Sequence, residues 1–149
     1  MTSRFEVSGG PQLLSGTITH ATIHEVTDPT MPVTIIRTDQ DWYVHLRWRL
    51  NGSLVRMIDG EWKIQVYLES IGQGPEFELS PVGGITEPVN PGSPNYDVRF
   101  NVSAGAVPAG QYKMVATILY VAPDGLPGPM AGFYDEPLVQ FYNPGPASP

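Results

Sequence analysis

The stretch DWYVHLRWRL, Asp41 to Leu50, decides the fold. It alternates without a break. Trp42, Val44, Leu46, Trp48 and Leu50 fall on one side; Asp41, Tyr43, His45, Arg47 and Arg49 fall on the other. A period of two belongs to a β-strand with one buried face. Two tryptophans on the apolar side put this strand at the centre of a core, because each indole buries on the order of 200 Å². The rest of the chain is expected to pack around it.

Strand signals continue in both directions. Phe5 and Val7 can form a small edge strand before the break at Gly9-Gly10-Pro11. Thr17 to Val26 is rich in β-branched residues, but its apolar positions do not choose one face. Val33 to Thr38 reads as a short strand. After Leu50, Asn51-Gly52-Ser53 predicts a type I′ hairpin, since both central residues tolerate positive φ. Asp59-Gly60 predicts a second tight turn. Trp62, Ile64, Val66 and Leu68 then alternate with Lys63, Gln65, Tyr67 and Glu69. Paired in one sheet with Asp41 to Leu50, this strand would gather Trp42, Trp48 and Trp62 on one core face.

Residues 81 to 94 hold Pro81, Gly83, Gly84, Pro88, Pro91, Gly92 and Pro94 and read as an ordered loop or a flap. Phe77 and Leu79 precede it as a brief edge strand. Tyr96, Val98, Phe100 and Val102 alternate next. Gln111 to Ala122 follows, with Tyr112, Met114, Ala116, Ile118 and Tyr120 on one face and Val115, Leu119 and Val121 on the other. Phe133 to Tyr142 is the last strand, and Pro137 within it predicts an edge or a bulge. No ten-residue window carries a helical period free of Gly or Pro. The prediction is an all-β, antiparallel β-sandwich of about seven to nine strands. Residues 1–142 read as a single domain and 143–149 as a flexible Pro-rich tail.

Composition bounds the function. The chain has 149 residues, no Cys, and 8 basic against 15 acidic side chains, for a net charge of −7. Disulfides, thiolate metal sites and cysteine nucleophiles are excluded. The acidic balance argues against a nucleic-acid partner. Arg47, Arg49 and Arg56 gather locally, and the rule that charge runs face solvent favours a solvated strand face over an anion site. No apolar run is long enough for a membrane helix. MTSRFEVSGG lacks the apolar core of a signal peptide, so the expectation leans to the cytoplasm.

The order of these signals resembles the immunoglobulin-like sandwich, including fibronectin type III and bacterial Ig-like domains. Trp42 to Leu50 looks like strand C of that fold. Val107 to Met114, VPAGQYKM, looks like the corner that runs into strand F. The resemblance implies that Tyr112 is the corner tyrosine, its hydroxyl bonded to backbone a few residues upstream. Met114 then stands where antibody domains carry the second cysteine of their inter-sheet bridge. The resemblance spans Thr17 to Tyr142, and the functions of such domains are too diverse to transfer one.

Sites are scarce. His20 and His24 lie on one strand about 13 Å apart, too far for one ion, and His45 could join one of them across strands. No metal and no cofactor is expected. Glu61, Glu69, Glu76, Glu78, Asp97, Asp124, Asp135 and Glu136 scatter through turns and outward positions, and no G-x-S-x-G is present. The reading is therefore non-catalytic. Asn51-Gly52-Ser53 and Asn101-Val102-Ser103 match a glycosylation pattern that arises easily by chance.

Tyr43, Tyr67, Phe133, Tyr134 and Tyr142 need not all fit in the core. The both-faces-apolar run Val115 to Val121 needs a cover on its second side. The preferred expectation is an Ig-like domain for protein–protein contact or self-assembly, with Tyr43, Tyr67, Val115, Leu119, Val121 and Tyr134 as candidate contacts. The alternatives are a polysaccharide-binding module using exposed Tyr and Trp, and a small hydrolase with a carboxylate pair.

Overall fold

The computed structural model describes residues 3–7, 14–27, 30–72, 74, 76–79, 84–90, 92–135 and 138–145. The strands are β1 (Ser3–Val7), β2 (Ser15–Glu25), β3 (Ile35–Arg37), β4 (Trp42–Asn51), β5 (Glu61–Ser70), β6 (Glu76–Glu78), β7 (Ile85–Pro88), β8 (Asn95–Val102), β9 (Gly110–Val121), β10 (Pro127–Tyr134) and β11 (Leu138–Tyr142). These eleven segments exceed the seven to nine expected. Gly and Pro chop the chain into short pieces, and β3, β6 and β7 span only three or four residues each. No helix occurs among the described residues.

Two sheets face each other. The smaller has the order β2-β4-β8, antiparallel throughout. The larger is built on β9, which pairs β5 along one edge. Along its other edge β9 pairs β10 and then β11. Outside these, β1 pairs β10, β3 pairs β11 in parallel, and β6 and β7 pair β5. Pairing β5 with β9 and β9 with β10–β11 is the C-F-G order of an immunoglobulin sheet.

This order corrects one expectation. β4 and β5 do not pair; they lie in opposite sheets, so β4 is not the strand-C equivalent, and β5 is. The predicted hairpin at Asn51-Gly52-Ser53 is absent for the same reason. Gly52 alone has positive φ, at 122°, and Asn51 does not, whereas a type I′ turn needs both. The segment instead coils through 53–57 and crosses between sheets, tucking Val55 into the core. The three tryptophans still share that core, but they meet across the sandwich. Trp48 and Trp62 stand edge to face at 5.8 Å.

The ambiguous face of β2 has a physical answer. Ile18 pairs Trp48 while His20 pairs Arg47, so Thr19 is an extra residue. This bulge switches the alternation. Ile18 before it and Ala21 and Ile23 after it all face the core, each at most 5 % exposed. His20, Thr22 and His24 are turned outward opposite Arg47, His45 and Tyr43. A second irregularity separates β10 from β11. Tyr134 pairs Ala116 and Leu138 pairs Lys113, so the β10–β11 side carries one residue more. The expected edge position is not found, since β1 and β3 flank these strands. Pro137 itself and the tail from 146 lie outside the described residues.

Part of the Gly/Pro-rich stretch 81–94 is not loop. Residues Ile85–Pro88 are β7, and Leu50 donates its N–H to the Pro94 carbonyl at 2.9 Å. The turn into β5 depends on Gly60. Its φ is 123°, and a Cβ there would collide with the Val121 carbonyl.

Two tyrosines lock corners. Tyr112 donates its hydroxyl to the Pro108 carbonyl at 2.9 Å, as the sequence resemblance implied, and Tyr120 donates to the Asp59 carbonyl. Burial pushes both phenols up from their ordinary range, and Asp59 and Asp124 add to the effect at Tyr120. A raised folded-state pKa stabilises the fold below the unfolded value of about 10 and is lost as pH rises through the folded value. Tyr112→Phe should therefore cost about 1 kcal/mol in urea unfolding at neutral pH. Its stability should also fall less steeply than that of the unaltered protein above about pH 10. A cost within the error of the measurement would show that the corner bond contributes nothing.

Candidate functional site

Each sheet has an outer surface, and the two differ in chemistry. On the larger sheet the outward side chains of β9 form the central row. Val121, Leu119, Thr117 and Val115 are half-buried, opposite Glu61, Lys63, Gln65 and Tyr67 of β5. On the other flank Leu119 faces Ala131 and Thr117 faces Phe133. Further along, Leu138 (63 % exposed), Ile35 (58 %) and Ile71 (55 %) wall a depression of about 320 Å³ together with Gln111 and Gln140. Lys113, opposite Glu69 and Leu138, and Gln111, opposite Gln140, separate the Val115 to Val121 row from the apolar walls of this depression. Tyr67 lies opposite Val115, and burial first, then Glu78 and Glu76, raises its phenol pKa.

The smaller sheet presents polar groups. β4 contributes Tyr43, His45, Arg47 and Arg49; β2 contributes His20, Thr22 and His24; β8 contributes Asn95, Asp97, Arg99 and Asn101. All three histidines of the chain meet here. His45 lies 6.5 Å from His20 and 6.3 Å from His24, ring to ring. Asp97 takes two partners: His45 Nε2 at 2.7 Å and Arg47 Nε at 3.3 Å. His24 stacks on Tyr43 at 4.9 Å and 8°, and the Arg99 guanidinium carbon sits 4.8 Å from the same ring.

The candidate contacts divide accordingly. Tyr67, Val115, Leu119 and Val121 share the outer face of the larger sheet. Tyr43 and Tyr134 do not serve as exposed contacts, each being only 7 % exposed. Tyr43 is roofed by His24 and Arg99, while Tyr134 alternates inward from Phe133. Phe133 and Tyr142 are the exposed aromatics of that set. No tryptophan is available for ligand stacking, since all three are at most 2 % exposed.

Among the described residues no three His, Asp or Glu side chains are placed to hold a metal ion. Of the acidic residues, Glu69 on β5 stands directly opposite Glu76 on β6, while Glu61 lies at the other end of β5 and Asp97 is on the smaller sheet. No described helix is long and apolar enough to cross a membrane. The sequence offered parts of this cluster, Arg47 beside Arg49 and a cross-strand approach of His45 to His20 or His24, but not its assembly around Asp97. Its signal was present in the outward set of β4 and in the polar outward set Asn95, Asp97, Arg99 and Asn101, which cross-strand register brings together.

No protein-family model matches the chain, and no curated protein matches its sequence. Among solved structures, it is similar to the C-terminal domain of Wzt, with 13% identity and a TM-score of 0.59 over 95% of this chain and 79% of that one. Two further matches have lower scores. One is a Niemann-Pick type C2 protein from the Japanese carpenter ant (13% identity, TM-score 0.45, 93% and 99% covered). The other is an immunoglobulin-like protein from Pseudomonas aeruginosa (12% identity, TM-score 0.39, 93% and 97% covered). The Wzt likeness shows a shared fold. With the C-F-G strand order and the Tyr112 corner, the chain is an immunoglobulin-like β-sandwich.

If the polar cluster were there for stability, its one carboxylate would matter to folding. Exposed ion pairs contribute at most about 1 kcal/mol. Asp97 is 57% exposed at its side chain, so Asp97→Asn should shift the urea midpoint by less than that amount. A larger loss would make the cluster a structural device.

Proposed function

We propose that the protein is a non-catalytic binding domain that contacts another protein through the outer face of the larger sheet, a second copy being the simplest partner. One observation carries this reading. Val115, Leu119 and Val121 keep outward apolar side chains that no other described element covers, with Phe133 beside Thr117 and the exposed Leu138, Ile71 and Ile35 further along the same face, beyond Lys113. Grouped apolar side chains mark interaction surfaces, where single exposed ones do not. Glu61, Lys63, Glu69 and Lys113 set charges of both signs among and beside them, as in a contact of mixed polarity. A flat sheet face can meet its own copy about a two-fold axis, because such a contact needs only one self-complementary patch.

Among the described residues, the depression walled by Leu138, Ile35 and Ile71 is lined by no carboxylate, which supports a binding role over a hydrolase. With its tryptophans buried, the polysaccharide reading keeps only tyrosines for stacking, of which Tyr142 is exposed.

Light scattering coupled to size exclusion tests the assembly directly. The unaltered protein should give a dimer mass at high concentration. Leu119→Lys, which puts a charge at the centre of the patch, should give a monomer with an unchanged near-ultraviolet spectrum of its buried tryptophans. A monomer mass at every concentration for the unaltered protein would remove self-assembly. A dimer that survives both Leu119→Lys and Leu138→Lys would move the interface elsewhere.

A further inference from the structure

The outer face of the smaller sheet runs against the charge of the molecule. The chain carries net charge −7, yet this face holds Arg47, Arg49, Arg99 and every histidine against a single carboxylate, Asp97. Asp97 is shared by His45 and Arg47. Among the described residues, Arg49 and Arg99 have no carboxylate partner. Two fixed cations are therefore uncompensated, and they are set on rigid strands rather than on loops.

The geometry also says how this surface can bind. Side chains on a sheet stand away from it, and neighbouring strands lie about 4.8 Å apart, so planar groups on adjacent strands stack against each other. His24 covers one side of the Tyr43 ring from β2, and Arg99 covers the other from β8. No ring face is left for a sugar to lie on. What faces outward is a comb of hydrogen-bonding groups, the guanidiniums and the amides of Asn95 and Asn101, both exposed; the Thr22 hydroxyl and His24 Nε2 are bonded to each other at 2.9 Å. From Tyr43 to Arg49 the comb runs about 20 Å along β4, at about 3.3 Å per residue. That length and openness suit an extended polymer better than an enclosed small molecule. Amides, which both donate and accept, match sugar hydroxyls. Arginines match carboxylates by paired hydrogen bonds. A nucleic acid asks for a much denser row of cations than three arginines on an acidic protein.

We propose that this face binds an acidic glycan, a polysaccharide bearing uronic-acid carboxylates. The groups that face one another here are His20 and His24 on β2, Tyr43, His45, Arg47 and Arg49 on β4, and Asp97 and Arg99 on β8. Sugar carboxylates, with pKa of about 3.5, are ionised at neutral pH and match the uncompensated guanidiniums of Arg49 and Arg99.

The test is calorimetric titration with polygalacturonate, alginate and hyaluronan at neutral pH, in roughly 50 mM salt so that surface charges are only partly screened. Methyl-esterified polygalacturonate and single-stranded DNA serve as controls. At least one acidic glycan should bind, and the methyl ester should not. Arg49→Gln combined with Arg99→Gln should weaken binding about tenfold or more, as expected for loss of charge-assisted hydrogen bonds. No binding by any of the three glycans would overturn the proposal. So would equal binding of the methyl ester, or equal binding of the DNA, which would mark an unspecific cationic surface. Leu119→Lys lies on the opposite sheet and should leave glycan binding unchanged, so this proposal and the assembly reading stand or fall separately.

Discussion

The structure depends on aromatic rings that meet across the gap between two sheets. Trp48 of the smaller sheet meets Trp62 of the larger at 5.8 Å, and Tyr96 lies against both, at 5.3 and 5.5 Å. Tyr120 closes the group on Trp62 at 5.8 Å. At the other end of the sandwich Trp42 packs on Phe141 at 5.3 Å, Phe141 on Tyr112, and Tyr112 on Phe77. Each buried indole removes on the order of 200 Å² from water, worth roughly 5 kcal/mol at 25 cal/mol per Å². An antibody domain joins its sheets with a disulfide. This chain has no cysteine, and Met114, fully buried, occupies the position of one. Edge-to-face packing at both ends holds the sheets in its place.

That arrangement explains what could be read from the residues and what could not. The inward faces of β4, β5, β8 and β9 were legible because alternation is a local property: a strand with one buried side declares which side it is. The Tyr112 corner was legible because donor and acceptor are four residues apart. Sheet membership was not legible. Whether Trp48 and Trp62 sit side by side or face to face depends on how the thirteen residues between them turn, and Asn-Gly serves a crossover as well as a hairpin. The face of β2 could not be read because one inserted residue, Thr19, reverses the pattern halfway along. The polar cluster is the plainest case. His20, His45 and Asp97 are far apart in the chain, and only the register of three strands makes them neighbours.

The two outer surfaces are separated by the full thickness of the sandwich, about 10 Å between sheets plus side chains on either side. An occupant of one does not obstruct the other. The rigidity of the core between them means that each surface is presented in a fixed orientation relative to its opposite. On the two readings proposed above, such a domain would join two unlike things without a hinge.

The pairing of the first strands with the last has a consequence for how the chain is made. β1 is held by β10 and β3 by β11, so neither has its partner until β10 and β11 have left the ribosome. Before that moment β9 can pair β5 on one edge only, its other edge bare. The nascent chain thus passes through a stage in which a long apolar strand is open to foreign strands, the situation in which edge pairing and swapping between chains begin. Synthesis of β10 and β11 ends that exposure, because the same two strands that cover the bare edge of β9 also capture β1 and β3, made long before them.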